Sequence, residues 1–298
     1  MSPGQVTGSP DADTCTKGTV HVRRGTDTIA GMAVPAPTAS ARAVVTGASS
    51  GIGEALAWEL ARRGHSLILV ARRGEILEIT AEKMRADHGI SVEVRPTDLS
   101  DLRSLDVLCA ELADREISIL CNNAGIATFG AFVDLDPEYE RAQLRLNATA
   151  VHDLTLAVLP QMVQRGSGGI LMVGSAAGNM PIPNNATYAA SKAFVNTFSE
   201  SLRGEVASKG VHITLLAPGP VRTEDPSPED ASIVDKMVPG FLWDDSAGVA
   251  RLSLDALARN KMRVVPGMLS KAMSVAGGYT PRRIVAPIVG GFYKKLGD

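Results

Sequence analysis

The sequence is short of several things, and each shortage closes off a class of function. Its 298 residues include only three cysteines, Cys15, Cys109 and Cys121. They form no CxxC pair and show no metal-ligand spacing, so neither a zinc site nor a disulfide framework is expected. An odd, sparse set of thiols points to a reducing compartment. Aromatic residues make up 4% of the chain, too few for a base-stacking platform. Charge of neither sign is in excess: 30 Lys and Arg against 32 Asp and Glu leave a net charge of −2. Nucleic-acid binding rests on cations that neutralise phosphates, so no nucleic-acid partner is expected. No apolar run reaches the roughly 18 residues of a membrane-spanning helix, and the N-terminus lacks the apolar centre of a secretory signal. Asn147-Ala148-Thr149 and Asn185-Ala186-Thr187 match the glycosylation sequon, but without a secretion signal both read as coincidence. The expected location is cytoplasmic.

What is present suits an ordinary globular protein, 45% hydrophobic and 21% charged, with apolar material for one sizeable core. Residues 1 to about 40 are rich in Gly, Pro, Ser, Thr and Asp without sustained periodicity. Such a stretch cannot bury enough apolar surface to offset its ordering entropy, which predicts a disordered N-terminal tail over 1–40. Met32, just ahead of the first apolar run, is a candidate initiator.

From Arg42 the chain alternates short apolar runs with longer amphipathic stretches. Strands are expected at Ala43–Thr46, Leu67–Val70, Val92–Arg95, Ile117–Cys121, Gly169–Gly174 and Val211–Ala217, with a seventh at Met262–Val265. Helices are expected at Gly53–Arg63, Ile76–His88, Leu102–Ala113, Pro137–Gln164, Thr187–Lys209 and Ala247–Arg259. Continuous apolar strands between helices predict a parallel sheet covered on both faces. The fold class is therefore α/β, a doubly wound parallel sheet of about seven strands in a single domain over 41–298. Ligands of such sheets bind beyond the carboxyl ends of the strands.

The first strand runs through Thr46-Gly47-Ala48-Ser49-Ser50-Gly51-Ile52-Gly53 into a helix. Gly47, Gly51 and Gly53 let backbone N–H groups, including those at Ser49, Ser50 and Ile52, approach a phosphate at the helix N-terminus. The ATPase pattern GxxxxGK[ST] is absent. NAD-binding sheets usually carry a carboxylate after the second strand to hold the ribose 2′-hydroxyl. This chain reads Val70-Ala71-Arg72-Arg73 there. Arg72, with Ser49, can make charge-assisted hydrogen bonds to a 2′-phosphate, so NADP(H) is favoured over NAD(H). Asp98, after the third strand, can accept from the adenine amino group or cap the helix that follows.

Tyr188-Ala189-Ala190-Ser191-Lys192 sets a phenol and an ammonium four residues apart on one helix face. A phenol near pKa ~10 is a poor proton shuttle at neutrality, and a nearby Lys favours its phenolate. Ser175 at the end of the fifth strand, and Asn122-Asn123-Ala124-Gly125 at the end of the fourth, belong to the same sheet edge.

With TGASSGIG (46–53), NNAG (122–125), LNATA (146–150), Ser175, YAASK (188–192) and PGPVRT (218–223) in that order, the sequence resembles the short-chain dehydrogenase/reductase family in its compact, single-domain, Rossmann-like branch. The matches cover about residues 42–223. The resemblance implies that Ser175 polarises a substrate carbonyl and that Tyr188 protonates it in reduction, or deprotonates an alcohol in oxidation. Lys192 then binds the nicotinamide ribose and lowers the tyrosine pKa, while Asn147 holds a water in a proton relay from Lys192. Asn123, Ala124 and Gly125 support the adenine-ribose side, and Pro218, Gly219 and Thr223 pass beneath the carboxamide. A homodimer or homotetramer acting on a small carbonyl or alcohol is implied likewise.

Beyond Thr223 the likeness thins. Residues 224–245 are Pro- and Asp-rich, then apolar at Met237, Val238, Phe241, Leu242 and Trp243. By resemblance this is a substrate lid, and its side chains suggest an apolar or acyl-bearing substrate or simply core packing. Val264-Val265-Pro266-Gly267 departs from the ending of ketoacyl-carrier-protein reductases. The last thirty or so residues resemble the steroid/long-chain ketoacyl reductase-like branch, as an amphipathic cap or an interfacial helix. The leading expectation is NADPH-dependent reduction of a ketone or aldehyde. The alternatives are an NAD(P)+-dependent secondary-alcohol or hydroxysteroid dehydrogenase, and a dinucleotide-binding protein without turnover. Serine hydrolysis is disfavoured because Gly174-Ser175-Ala176-Ala177-Gly178 is not GxSxG.

Overall fold

The computed structural model describes residues 35–219, 221–222, 243–267 and 271. The expected tail up to residue 34, Thr223, most of the expected lid and nearly all of the C-terminal stretch lie outside the described residues.

Short runs of apolar, mostly branched side chains form β1 (Arg42–Thr46), β2 (Leu67–Ala71), β3 (Val92–Pro96), β4 (Ile117–Asn122), β5 (Gly168–Val173) and β6 (Val211–Leu216). Between them lie α1 (Gly51–Arg62), α2 (Gly74–His88), α3 (Leu102–Ala113), α4 (Pro137–Leu144), α5 (Ala150–Arg165) and α6 (Ala186–Val206). After β6 come β7 (Val221–Arg222), β8 (Asp244–Asp245), α7 (Ser246–Ala258) and β9 (Arg263–Val264). The main sheet has seven strands in the order β3-β2-β1-β4-β5-β6-β9, and every pairing in it is parallel. The order turns back on itself between β1 and β4, which opens the crevice where doubly wound sheets bind ligands. A small sheet of β7 and β8 stands apart from the main one.

The inner strands β2, β1, β4, β5 and β6 are buried on both faces, and their alternation divides the core in two. Val45, Leu69, Cys121 and Leu171 face one layer with α1, α2 and α7. Val44, Ile68, Leu120 and Ile170 face the other with α3, α5 and α6.

The sequence pattern predicts a long helical region from about 137 to 164, and the structure shows two helices within it. A π-helical turn, Arg145–Thr149, separates α4 from α5. Its cause is Asn147, whose carboxamide bonds the Ile126 backbone in both directions: Oδ1 accepts from the N–H at 3.0 Å and Nδ2 donates to the carbonyl at 2.8 Å. An i→i+5 turn widens the helix by one residue and lets that side chain reach the β4 loop.

Candidate active site

The glycine-rich turn is built by close packing. Gly47 and Gly51 have φ of +66° and +58°, a left-handed conformation that side chains disfavour. A Cβ at Gly53 would overlap the Gly47 carbonyl oxygen and the Asn123 side chain. Thr46 Oγ1 accepts from the backbone N–H groups of Asn123 and Ala124 at 2.9 and 3.0 Å, and Asn123 Nδ2 donates to the Thr46 carbonyl at 2.9 Å. The ends of β1 and β4 are thereby joined at the crevice. Ser50 precedes α1 without a side-chain cap, so the first helical N–H groups remain available to an anion. This cradle, which a Cβ would fill, fits a dinucleotide phosphate.

Arg72 and Arg73 are both exposed at the end of β2. It is Arg73, not Arg72, whose Nη2 donates to the carbonyl and hydroxyl of Ser49, both at 3.1 Å. Adjacent arginines after a strand cannot be ranked from sequence without the direction of the turn. Asp98 neither caps α3 nor is buried. Its carboxylate accepts from the Ser100 N–H at 2.9 Å and the Ser100 hydroxyl at 2.7 Å, and the cap of α3 is Asp101.

Ser175, Tyr188 and Lys192 are brought together. Ser175 follows β5 and Tyr188 lies one turn before Lys192 on α6. A hydrogen bond joins the Ser175 and Tyr188 side chains. Lys192 Nζ sits 5.8 Å from the centre of the Tyr188 ring and donates to the Val173 carbonyl at 2.9 Å. Asn147 is tied to the same helix, its Nδ2 lying 3.2 Å from Ser191 Oγ. Gly125 leaves room for both, since a Cβ there would stand 3.1 Å from Asn147 Oδ1 and 3.3 Å from Lys192 Nζ. Pro218 closes the edge by accepting from the Ala176 N–H at 3.2 Å, with Gly219 beside it. The start of α6 is held by Asn185, which donates to the Thr128 carbonyl.

Burial governs the site's electrostatics. It pushes the Tyr188 phenol above its ordinary range, and the Ser175 hydrogen bond pulls the other way. It pushes the Lys192 ammonium down to about 8. Asn196, which no motif singled out, is buried on the same face of α6 and touches Ser175. Its helical spacing from Lys192 was the available signal. Among the described residues no cluster of His, Cys, Asp and Glu is arranged to hold a metal, and no helix is long and apolar enough to cross a membrane.

A doubly wound sheet with a phosphate cradle at its crevice, and a phenol, a hydroxyl and an ammonium at the same edge, defines a Rossmann-like oxidoreductase. The family model described as short chain dehydrogenase matches residues 41–231, and the chain belongs to that family. It is 38% identical over 201 residues to a very-long-chain 3-oxoacyl-CoA reductase of Anas platyrhynchos, a match that covers 65% of this chain and 64% of that one. The match therefore spans somewhat less than two thirds of that relative's length. Among solved structures, a short-chain dehydrogenase from Sphingobium yanoikuyae in complex with NADPH aligns with a TM-score of 0.72 at 33% identity, covering 79% of this chain and 92% of that one. A bulky-bulky ketone specific alcohol dehydrogenase from Comamonas testosteroni aligns with a TM-score of 0.69 at 29% identity, covering 82% and 96%.

Proposed function

We propose that the protein is an NADPH-dependent reductase of a ketone or aldehyde borne on an apolar or acyl-bearing molecule. The observation that carries this reading is the joining of Ser175, Tyr188 and Lys192 at the edge where the glycine cradle opens. When bound, the dinucleotide supplies the hydride. Ser175 donates a hydrogen bond to the carbonyl oxygen, and Tyr188 gives its phenolic proton to the same oxygen as negative charge develops there. The Ser175 hydrogen bond to the phenol favours its ionised form and so eases that proton transfer against the burial that opposes it. Lys192 offers its ammonium to the ribose hydroxyls, Asn147 orders the proton path behind it, and Gly47, Ser49, Ser50, Gly51, Ile52 and Gly53 receive the phosphates. Asp98 faces the adenine, with Asn123, Ala124 and Gly125 beneath the adjoining ribose. Pro218, Gly219 and Thr223 line the nicotinamide end.

Cofactor choice falls to Arg72 and Arg73 with Ser49. The pairing of Arg73 with Ser49, the absence of a carboxylate at the end of β2, and the NADPH held by the Sphingobium relative support the phosphorylated dinucleotide. The likeness to a 3-oxoacyl-CoA reductase supports long-chain 3-oxoacyl thioesters as the first substrates to test.

NADPH consumption over a panel of 3-oxoacyl thioesters, bulky ketones and ketosteroids tests the reading. Turnover of at least one class is expected, and Tyr188→Phe should lower kcat about 10²–10⁴-fold, the usual worth of a positioned general acid. Wild-type rates in Tyr188→Phe, or no turnover across the panel, would sink it. Replacing both Arg72 and Arg73 with Ala should raise KM for NADPH about tenfold or more and leave KM for NADH unchanged, because only the 2′-phosphate loses charge-assisted bonds. A wild-type preference for NADH would overturn the cofactor assignment.

A further inference from the structure

Two glycines flank Ser175 in Gly174-Ser175-Ala176-Ala177-Gly178, a string with no role in the chemistry above beyond Ser175 itself. Both glycines face one side chain. A Cβ at Gly174 would overlap Asn196 Oδ1, and one at Gly178 would stand 2.7 Å from Asn196 Nδ2 and 2.6 Å from the Lys192 carbonyl carbon. The glycines thus form a seat for Asn196 in the wall of α6.

Asn196 lies four residues after Lys192 and eight after Tyr188, so the three share one face of the helix. Its carboxamide meets the Ser175 peptide on both sides. The Ser175 N–H donates to Oδ1 at 3.4 Å, and Nδ2 donates to the Ser175 carbonyl at 3.0 Å. The second Nδ2 proton reaches Asn179 Oδ1 at 3.2 Å. That same oxygen accepts from Arg263 Nη2 at 2.8 Å, and Arg263 Nη1 stands 3.5 Å from Glu200 of α6. One planar group must therefore accept once and donate twice, a combination that a primary carboxamide supplies and a carboxylate or hydroxyl does not.

We propose that Asn196 is a positioning residue of the reaction, clamping the Ser175 backbone to α6 so that the serine hydroxyl keeps its place against the Tyr188 phenol. The proposal rests on the carbonyl reduction proposed above. Ser175 follows a strand and Tyr188 belongs to a helix, with twelve residues of chain between them. Local structure does not set their separation. A clamp carried two turns along the same rigid helix as the phenol does set it, because fixing Ser175 to Asn196 fixes it to Tyr188. Arg263 and Asn179 hold the clamp from the β9 side, and Gly174 and Gly178 let it close. Misplacing a reacting group by about 1 Å lowers a rate by roughly 10²-fold, so the clamp bears on kcat without touching substrate.

The test is a double-mutant cycle on the purified full chain, using the best substrate of the carbonyl panel. Asn196→Ala and Asn196→Asp are each expected to lower kcat about ten- to hundredfold, with KM for NADPH within about twofold of wild type. Asn196→Asp keeps the volume and one acceptor, and so the fold, but sets a carboxylate oxygen against the Ser175 and Asn179 oxygens. Combined with Ser175→Ala, either variant should be within about twofold of Ser175→Ala alone, because no hydroxyl remains to be positioned. A structural role would instead multiply the two losses. Multiplied losses, or an unchanged kcat in Asn196→Asp, overturn the clamp. If Asn196→Ala does not fold, the cycle with Asn196→Asp decides the matter alone. A folded wild-type protein without turnover on any carbonyl overturns the functional reading and the clamp's catalytic role with it, a result separate from either failure of the cycle.

Discussion

Lys192 carries a positive charge into the protein interior, where among the described residues it has one acceptor, the Val173 carbonyl, and no carboxylate at its side. A buried ammonium with that little compensation is held at a cost in stability, which active sites commonly tolerate. Its folded-state pKa, about 8, lies below the ordinary 10.5. Between those two values the unfolded chain binds more protons than the folded one, so this group makes stability rise with pH across that window. Lys192→Met should therefore melt higher than wild type near pH 7 without dinucleotide, with the gap closing as pH approaches 10.5. Thermal unfolding of both proteins from pH 7 to 10.5 checks this, and a gap independent of pH would contradict it. The same substitution should abolish turnover, so stability and activity part company at this one residue.

At the scale of the element, the β1–α1 turn depends on contacts that leave no space for a side chain. Gly53 is the third residue of α1, and a Cβ there would overlap the Gly47 carbonyl oxygen and the Asn123 side chain. Both neighbours are themselves fixed, the first by its N–H bond to the Val70 carbonyl and the second by its bonds to Thr46. Gly53→Ala must therefore push the turn open. A loss of about 1–3 kcal/mol is expected, the usual penalty of overpacking, together with a raised KM for NADPH. Chemical denaturation and steady-state kinetics measure the two effects, and a variant of wild-type stability would refute the packing argument. The neighbouring helix α7 begins more conventionally. Asp245 accepts from the Ala247 and Gly248 N–H groups at 3.3 and 2.9 Å, and its replacement by Ala should destabilise the protein by about 1 kcal/mol.

Over the whole molecule, two charge clusters tie together elements that are distant in sequence. Arg42 of β1, Arg95 of β3 and Arg115 after α3 converge on Glu93, with Glu111 shared between Arg95 and Arg115. On the opposite face Glu59 holds Arg62 and Arg63, and Arg63 reaches Asp255 of α7. Hydrogen bonds from Arg115, and secondarily Arg42, hold Glu93 down at about 2, against an ordinary 4.5. Glu59 is held at about 2 by Arg62 and Arg63. A carboxylate depressed in the fold stabilises it above the unfolded pKa, and that stability is lost as pH falls through the folded value. Glu93→Gln should lower the melting temperature at pH 7, and its difference from wild type should shrink below pH 4.5 and vanish near pH 2. Melting curves across that range decide it. A constant difference would mean that Glu93 acts through packing rather than charge.

The amino-acid sequence alone determined the alternation of strand and helix, the two-faced sheet and the order of the motifs along its edge. Burial on both faces is written in runs such as Val44-Val45 and Ile68-Leu69-Val70, and the four-residue step from Tyr188 to Lys192 is a property of one helix. These are local regularities of covalent spacing and side-chain polarity. Tertiary structure decided what depends on distance between separate elements: that Arg73 reaches Ser49, that Asp98 bonds Ser100, and that Asn147 breaks the long helix to hold Ile126. It also decided that Asn196 meets Ser175, and that the Lys192 ammonium is buried against the Val173 carbonyl. Hydrogen bonds and desolvation act over a few ångströms, and which residues come that close is set only when the strands pair and the helices pack.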